Sequence, residues 1–152
     1  NFSLGVHNLV LRVRDGINTT FSSAITIEII DNQAPSLRPY TSTTILWPPD
    51  HKMIDVTISA NASDNSGGPV YLTAVVSSNE PQDGLGDGDA SPDWSVPVID
   101  QAAGTISIQL RAERSGSGSG RIYTVVITGT DLAGNSSSAS IQFLVPHDMK
   151  KK

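Results

Sequence analysis

Apolar and polar residues alternate with a period of two along most of this chain, and no stretch carries the 3.6-residue period of an amphipathic helix. Read back from the C-terminus, residues 138–145 predict a strand with Ala139, Ile141, Phe143 and Val145 on one face. Residues 121–130 predict another, apolar at Ile122 and from Val125 to Ile127. Between them, Asp131-Leu132-Ala133-Gly134-Asn135 offers Gly and Asn for the positive φ of a tight connection. In residues 104–112, Ile106, Ile108 and Leu110 alternate with Ser107, Gln109 and Arg111. Residues 94–99 form a short strand that Pro97 confines to an edge or a bulge. Residues 70–76, 53–62 (Ile54, Val56, Ile58 and Ala60 alternating) and 40–46 complete a set of seven. Seven short strands with closely spaced turn signals predict an all-β sandwich over residues 34–148.

The first 33 residues repeat part of that pattern. Residues 5–15 carry Val6, Leu9, Leu11 and Val13 and end in Asp15, followed by Gly16-Ile17-Asn18 and by Ala24-Ile25-Thr26-Ile27-Glu28-Ile29. Residues 120–131, then Ala133-Gly134-Asn135, then Ala139-Ser140-Ile141-Gln142-Phe143, follow the same plan: a strand ending in Asp, a Gly/Asn turn, and an alternating strand beginning with Ala. This internal repeat marks residues 1–33 as the terminal hairpin of a preceding, incomplete sandwich plus a linker, or else as donor strands for another chain. An isolated hairpin is marginal in water, so each reading gives this one a partner. Residues 149–152 are a basic tail.

Composition narrows the function classes. Charged residues make up 16% of the 152, with a net charge of −5, and the one basic run is Lys150-Lys151-Lys152. Nucleic acid is therefore not expected as a partner, because phosphate binding needs clustered Lys and Arg. No run approaches the roughly 20 apolar residues of a membrane span. The absence of cysteine excludes disulfides and thiolate metal sites.

The acidic stretch from Ser78 to Trp94 holds Glu80, Asp83, Asp87, Asp89 and Asp93. So many like charges in one loop repel one another unless neutralised. Calcium takes six to eight oxygens, and the glycines at 84, 86 and 88 let backbone fold tightly around an ion. The spacing of Asp87, Asp89 and Asp93 is like the opening of an EF-hand loop but lacks its flanking helices and its Glu at position twelve. In a sandwich, this loop shares its end with Trp47-Pro48-Pro49-Asp50-His51-Lys52 and with residues 113–120. Asp50 and Glu113 are then further oxygen donors, with Arg111 or Arg114 balancing spare carboxylates. A second candidate metal set, Asp31, Asp64, Asp131 and Asn135, belongs to the opposite end and is like an interdomain calcium site of the cadherin kind. Asp and Asn are also ordinary turn residues, and the turn role is the favoured one there.

Other chemistry is thinner. His7, His51 and His147 lack zinc spacing, no Gly-x-Ser-x-Gly elbow occurs, and few aromatics are present to line a sugar groove. Trp47 and Trp94 flank the acidic region and would either stack on a sugar or plug the end of the core.

Several motifs occur together: Ile45-Leu46-Trp47-Pro48-Pro49-Asp50-His51-Lys52, Ser78-Asn79-Glu80-Pro81 with Gly86-Asp87-Gly88-Asp89, Leu110-Arg111-Ala112-Glu113-Arg114-Ser115-Gly116, Asp131 to Asn135, and Val145-Pro146-His147-Asp148. The combination resembles an immunoglobulin-like repeat of large secreted or surface proteins of bacteria and archaea, related in style to hyalin-repeat and PKD-like modules. The resemblance covers residues 34–148. It implies an immunoglobulin-like β-sandwich, an extracellular or cell-surface location, a structural or accessory role and no catalytic residues. The expected function is a calcium-stabilised structural or adhesive module, in a tandem surface protein or as a fibre subunit assembled by strand complementation. Its partners would be neighbouring immunoglobulin-like domains or identical subunits. The alternative is a carbohydrate-binding accessory module of a secreted hydrolase, with polysaccharide as the partner. A free-standing hydrolase lacks its catalytic constellation.

Overall fold

The computed structural model describes residues 2–82 and 91–148, and among them there is no helix. Backbone contacts divide the chain into two units, Asn1–Gln33 and Ala34–Lys152.

The first unit is a long antiparallel hairpin. Strand β1 (Gly5–Leu9) pairs with β4 (Ile25–Ile29), and β2 (Arg12–Arg14) pairs with β3 (Thr19–Phe21). Leu9 lies opposite Ile25 and Arg12 opposite Phe21, so two residues on one strand face three on the other. This is a bulge, which adds twist. At the tip, Asp15 organises the turn: its Oδ1 accepts from the amides of Ile17 (3.0 Å) and Asn18 (2.7 Å), and its Oδ2 from Asn18 Nδ2. These bonds hold the Asp15 carboxyl below the ordinary aspartate range, the Asn18 amide contributing most.

The second unit is built from two three-stranded antiparallel sheets that share one core. One sheet has the order β5 (Met53–Ser59), β8 (Thr105–Arg111), β7 (Val98–Asp100). The other has the order β10 (Ser136–Pro146), β9 (Gly120–Thr130), β6 (Tyr71–Ser78). Period-two alternation explains which side chains meet. Val56 and Ile58 from β5, with Ile106, Ile108 and Leu110 from β8, point inward against Leu72, Val125, Ile127, Phe143 and Val145 of the opposite sheet. Burial of each such side chain contributes about 1.5–3 kcal/mol. Strand β7 is short and lies at a sheet edge, beyond Pro97.

The segment expected as a strand over residues 40–46 is instead a crossing. Ser36 and Tyr40 bridge antiparallel to Ser63 and Ser59, and Ile45 then bridges parallel to Leu144 of the other sheet. A chain that pairs with both sheets in turn has no continuous ladder to either, although Leu46 ends fully buried in the core. On β9 the inward set is Arg121, Tyr123, Val125 and Ile127, while Ile122 faces outward and is half-buried. The Val-Val-Ile run is apolar on both faces, and hydrophobicity alone therefore does not tell which side Ile122 takes.

The repeat seen in the sequence extends to backbone geometry. Gly5 and Gly120, the first residues of β1 and β9, have φ of 112° and 121°. Asp131 bonds the amide and side chain of Asn135 (2.8 and 2.9 Å), as Asp15 bonds Asn18. The backbone amide of each Asp also reaches back across its loop, Asp15 to Asn18 O and Asp131 to Asn135 O.

Candidate functional site

Three connections meet at one pole of the sandwich: residues 47–52 before β5, residues 79–82 with 91–97 around the acidic loop, and residues 112–119 after β8. The group that ties them is Arg121, which alternation sends into the core at the start of β9 and which is fully buried. Its Nη1 lies 2.7 Å from Asp93 Oδ2 and its Nε 3.2 Å from Glu80 Oε2. Nη1 also donates to the Tyr123 hydroxyl at 3.2 Å. Burial by itself would lower the affinity of this guanidinium for its proton. The Tyr123 hydroxyl and the Asp93 and Glu80 carboxylates outweigh that, and the group is held charged.

Glu80 and Asp93 stand on the two stems of the acidic loop, so one buried cation holds both stems to the sandwich. Glu80 Oε2 also accepts from the Ser115 amide at 2.8 Å, which brings in the third connection. Glu113, buried, receives His51 Nδ1 at 2.8 Å. Arg111, expected with Arg114 as a balance for spare carboxylates, pairs with none among the described residues. Its guanidinium donates to the carbonyls of Pro92 and His51, lacing the same connections through backbone. Arg114 likewise donates to the Ser115 and His147 carbonyls. A carbonyl-rich set of loop ends competes well for guanidinium forks, and this leaves the carboxylates to Arg121.

Among the expected metal ligands, Glu80, Asp93 and Glu113 are therefore drawn to this pole with cationic or histidine partners. Asp50 stands on the same connection as His51 but pairs with Lys52 Nζ at 2.6 Å, a contact that lowers its carboxyl pKa. Asp83, Asp87 and Asp89 lie outside the described residues. Of the two tryptophans, Trp94 is half-buried and packs edge-on against Tyr123 with ring centroids 6.1 Å apart, whereas Trp47 is 44% exposed.

At the opposite pole, an oxygen of Asp64 and one of Asp131 lie within 4.8 Å of each other. Both carboxylates also serve their own turns. Asp64 accepts from the Ser66 amide and hydroxyl, and Asp131 from Asn135. Asp31, in the first unit, accepts from the Gln33 amide at 3.1 Å. Between the sheets' edges near this pole is an open cleft of about 430 Å³ lined by Asn61, Leu72 and Gln101, with no ionisable side chain on its walls.

Arg121 and Tyr123 were not singled out from the sequence, although a signal existed. Both share the inward parity of Val125 and Ile127, and a charged residue at a core position is rare unless paired. Tyr123 donates its hydroxyl to Arg111 O at 2.9 Å, closing the end of β8 onto β9. Burial foremost pushes this phenol up to about 12. The fold thus binds the phenolic proton more tightly than the unfolded chain, whose tyrosine ionises near pH 10. The resulting stability is complete below about pH 10 and falls by roughly 2–3 kcal/mol as pH rises towards 12. Urea unfolding at pH 9 and pH 11 is expected to show about half of this loss, roughly 1.3 kcal/mol, and Tyr123→Phe is expected to abolish it. An equal loss in Tyr123→Phe would place the alkaline sensitivity elsewhere.

No protein-family model and no curated protein sequence matches the chain.

Proposed function

We propose that this chain is a calcium-stabilised, extracellular structural or adhesive module with immunoglobulin-like topology, working in a tandem surface protein or as a subunit of a strand-complemented fibre. The strand orders β5-β8-β7 and β6-β9-β10 correspond to the B-E-D and C-F-G orders of immunoglobulin constant-type sandwiches. The segment that bridges first to β5 and then to β10 takes the place of the first strand. Tyr123, near the start of β9 with its hydroxyl on a backbone carbonyl upstream, fits the tyrosine corner of that fold.

The observation that carries the calcium reading is the charge balance around Arg121. One guanidinium contacts both Glu80 and Asp93 and neutralises one of their two charges, at the stems of a stretch that contains five carboxylates. The sequence adds Asp83, Asp87 and Asp89 between those stems, and a divalent ion would supply the positive charge that the stretch still needs. The role is mechanical: a stiff pole in a domain without disulfides.

Thermal unfolding with calcium and with chelator tests the reading. At calcium about a hundredfold above Kd the stabilisation is about 2.7 kcal/mol, on the order of 10 °C in Tm for a domain of this size. An identical Tm in both conditions would remove calcium from the proposal. Asp89→Asn is expected to abolish the shift and Asp64→Asn to leave it intact; the reverse pattern would move the ion to the Asp64–Asp131 pole.

A further inference from the structure

The two sheets of the second unit have four edges among the described residues, and three of them are short or already met. Strand β7 has three residues and follows Pro97. The crossing segment meets β5 through Tyr40 at Ser59 and β10 through Ile45 at Leu144, and the Ser137 hydroxyl of β10 donates to Pro35 O. Strand β6, at the remaining edge, has eight residues with no charge and no proline among them. Its odd-numbered peptide groups bond β9, and this ladder runs on to the Asn79 amide, which donates to Ile122 O at 3.1 Å. Alternation therefore turns the peptide groups of Leu72, Ala74, Val76 and Ser78 away from β9. An edge of this kind is a template for another strand.

At Leu72 a side chain takes the place of that strand. Gln101, in the turn after β7, accepts from the Leu72 amide and donates to the Leu72 carbonyl, each at 2.8 Å. A residue of a neighbouring antiparallel strand would make the same pair of bonds. Beside this contact lies the open cleft of about 430 Å³, which leaves room for a chain to approach the edge. Among the described residues, no backbone partner meets the outward peptide groups of Ala74 and Val76.

We propose that Gln101 guards the β6 edge: its carboxamide holds the Leu72 position and so keeps β6 from pairing with β6 of a second copy. An uncharged edge strand suits itself, and antiparallel pairing about a two-fold axis at Val75 is isologous. It would set Leu72 against Ser78 of the other copy and Ala74 against its Val76. Gln101 occupies Leu72 in both copies, so both end pairs are lost and only the short centre of the ladder is left.

Sedimentation of the full chain, from low micromolar to near-millimolar concentration, reads the guard. Gln101→Ala reopens the end pairs, each of them two backbone hydrogen bonds, and is expected to tighten self-association about tenfold or more relative to the parent. Val75→Lys added to Gln101→Ala sets two ammonium groups against each other at the axis. It is expected to return association to the parent level while Tm stays at that of Gln101→Ala. This separates pairing of folded edges from association through unfolding. The chain has no cysteine, so Val75→Cys reports the register. Mild oxidation is expected to link Val75→Cys into dimers several-fold faster with Gln101→Ala than with Gln101 in place. Association of Gln101→Ala no tighter than the parent, association that survives Val75→Lys, or cross-linking indifferent to Gln101 would each overturn the proposal. All samples contain chelator, so the outcome does not turn on the calcium reading.

Discussion

Replacing Arg121 by methionine is expected to destabilise the sandwich by about 3–5 kcal/mol, because it strands the Asp93 and Glu80 carboxylates at a buried site. For a domain of this size that lowers Tm by on the order of 15 °C. The cost arises from the uncompensated charges rather than from the loss of the pair itself. Adding Asp93→Asn and Glu80→Gln to Arg121→Met is therefore expected to recover most of the stability, since a neutral, packed replacement of a whole buried ion cluster is often tolerated. Calorimetry on the single and triple variants measures this directly. A single variant within about 1 kcal/mol of the parent, the range of a surface ion pair, would show that water reaches these carboxylates. The single variant is also expected to free both stems of the acidic loop, so proteolysis within residues 79–97 should accelerate.

Gly120→Ala is the second large effect, at roughly 2–5 kcal/mol. Two costs combine at this position. Its φ of 121° lies where a side chain is strained, and an added Cβ would stand 2.7 Å from Val145 O. That oxygen belongs to the paired backbone of β10 and cannot swing aside as a flexible side chain would. Gly134, in the same unit, isolates the first cost. It has φ of 92° with open space around the added Cβ, so Gly134→Ala carries strain without overlap. Urea unfolding of the sandwich should respond strongly to Gly120→Ala and much less to Gly134→Ala. Equal effects would mean that the β9–β10 ladder can shift to admit a methyl group.

The same two residues show how far the sequence can be read. Strands β5, β6, β8, β9 and β10 follow from period-two alternation because each has one apolar face, and a face that must be buried leaves its mark in composition. The repeat of the β9–β10 hairpin in residues 5–29 was legible for a similar reason. Asp-to-Asn turns and glycines at positive φ are local requirements met by particular residue types. Residues 40–46 were misread as one strand because crossing between sheets leaves no mark in an alternating pattern. Which sheet each residue joins depends on partners distant in the chain.

The pole that carries the candidate site divides in the same way. The sequence by itself determined that five carboxylates crowd residues 80–93, and that strand connections elsewhere would bring Asp50 and Glu113 towards them. It also set the expectation that like charges at that density draw in a cation. Only the tertiary structure decided which cation serves the described carboxylates. Arg121 is 28 residues beyond Asp93 and 41 beyond Glu80, and nothing local distinguishes it from Arg111 or Arg114. It prevails because inward parity on β9 places its guanidinium under both loop stems in a buried site, where Coulomb attraction is strongest. Arg111 and Arg114 meet backbone carbonyls first. Charge number is a property of composition, whereas charge pairing is a property of distance and burial, which exist only once the two sheets have closed.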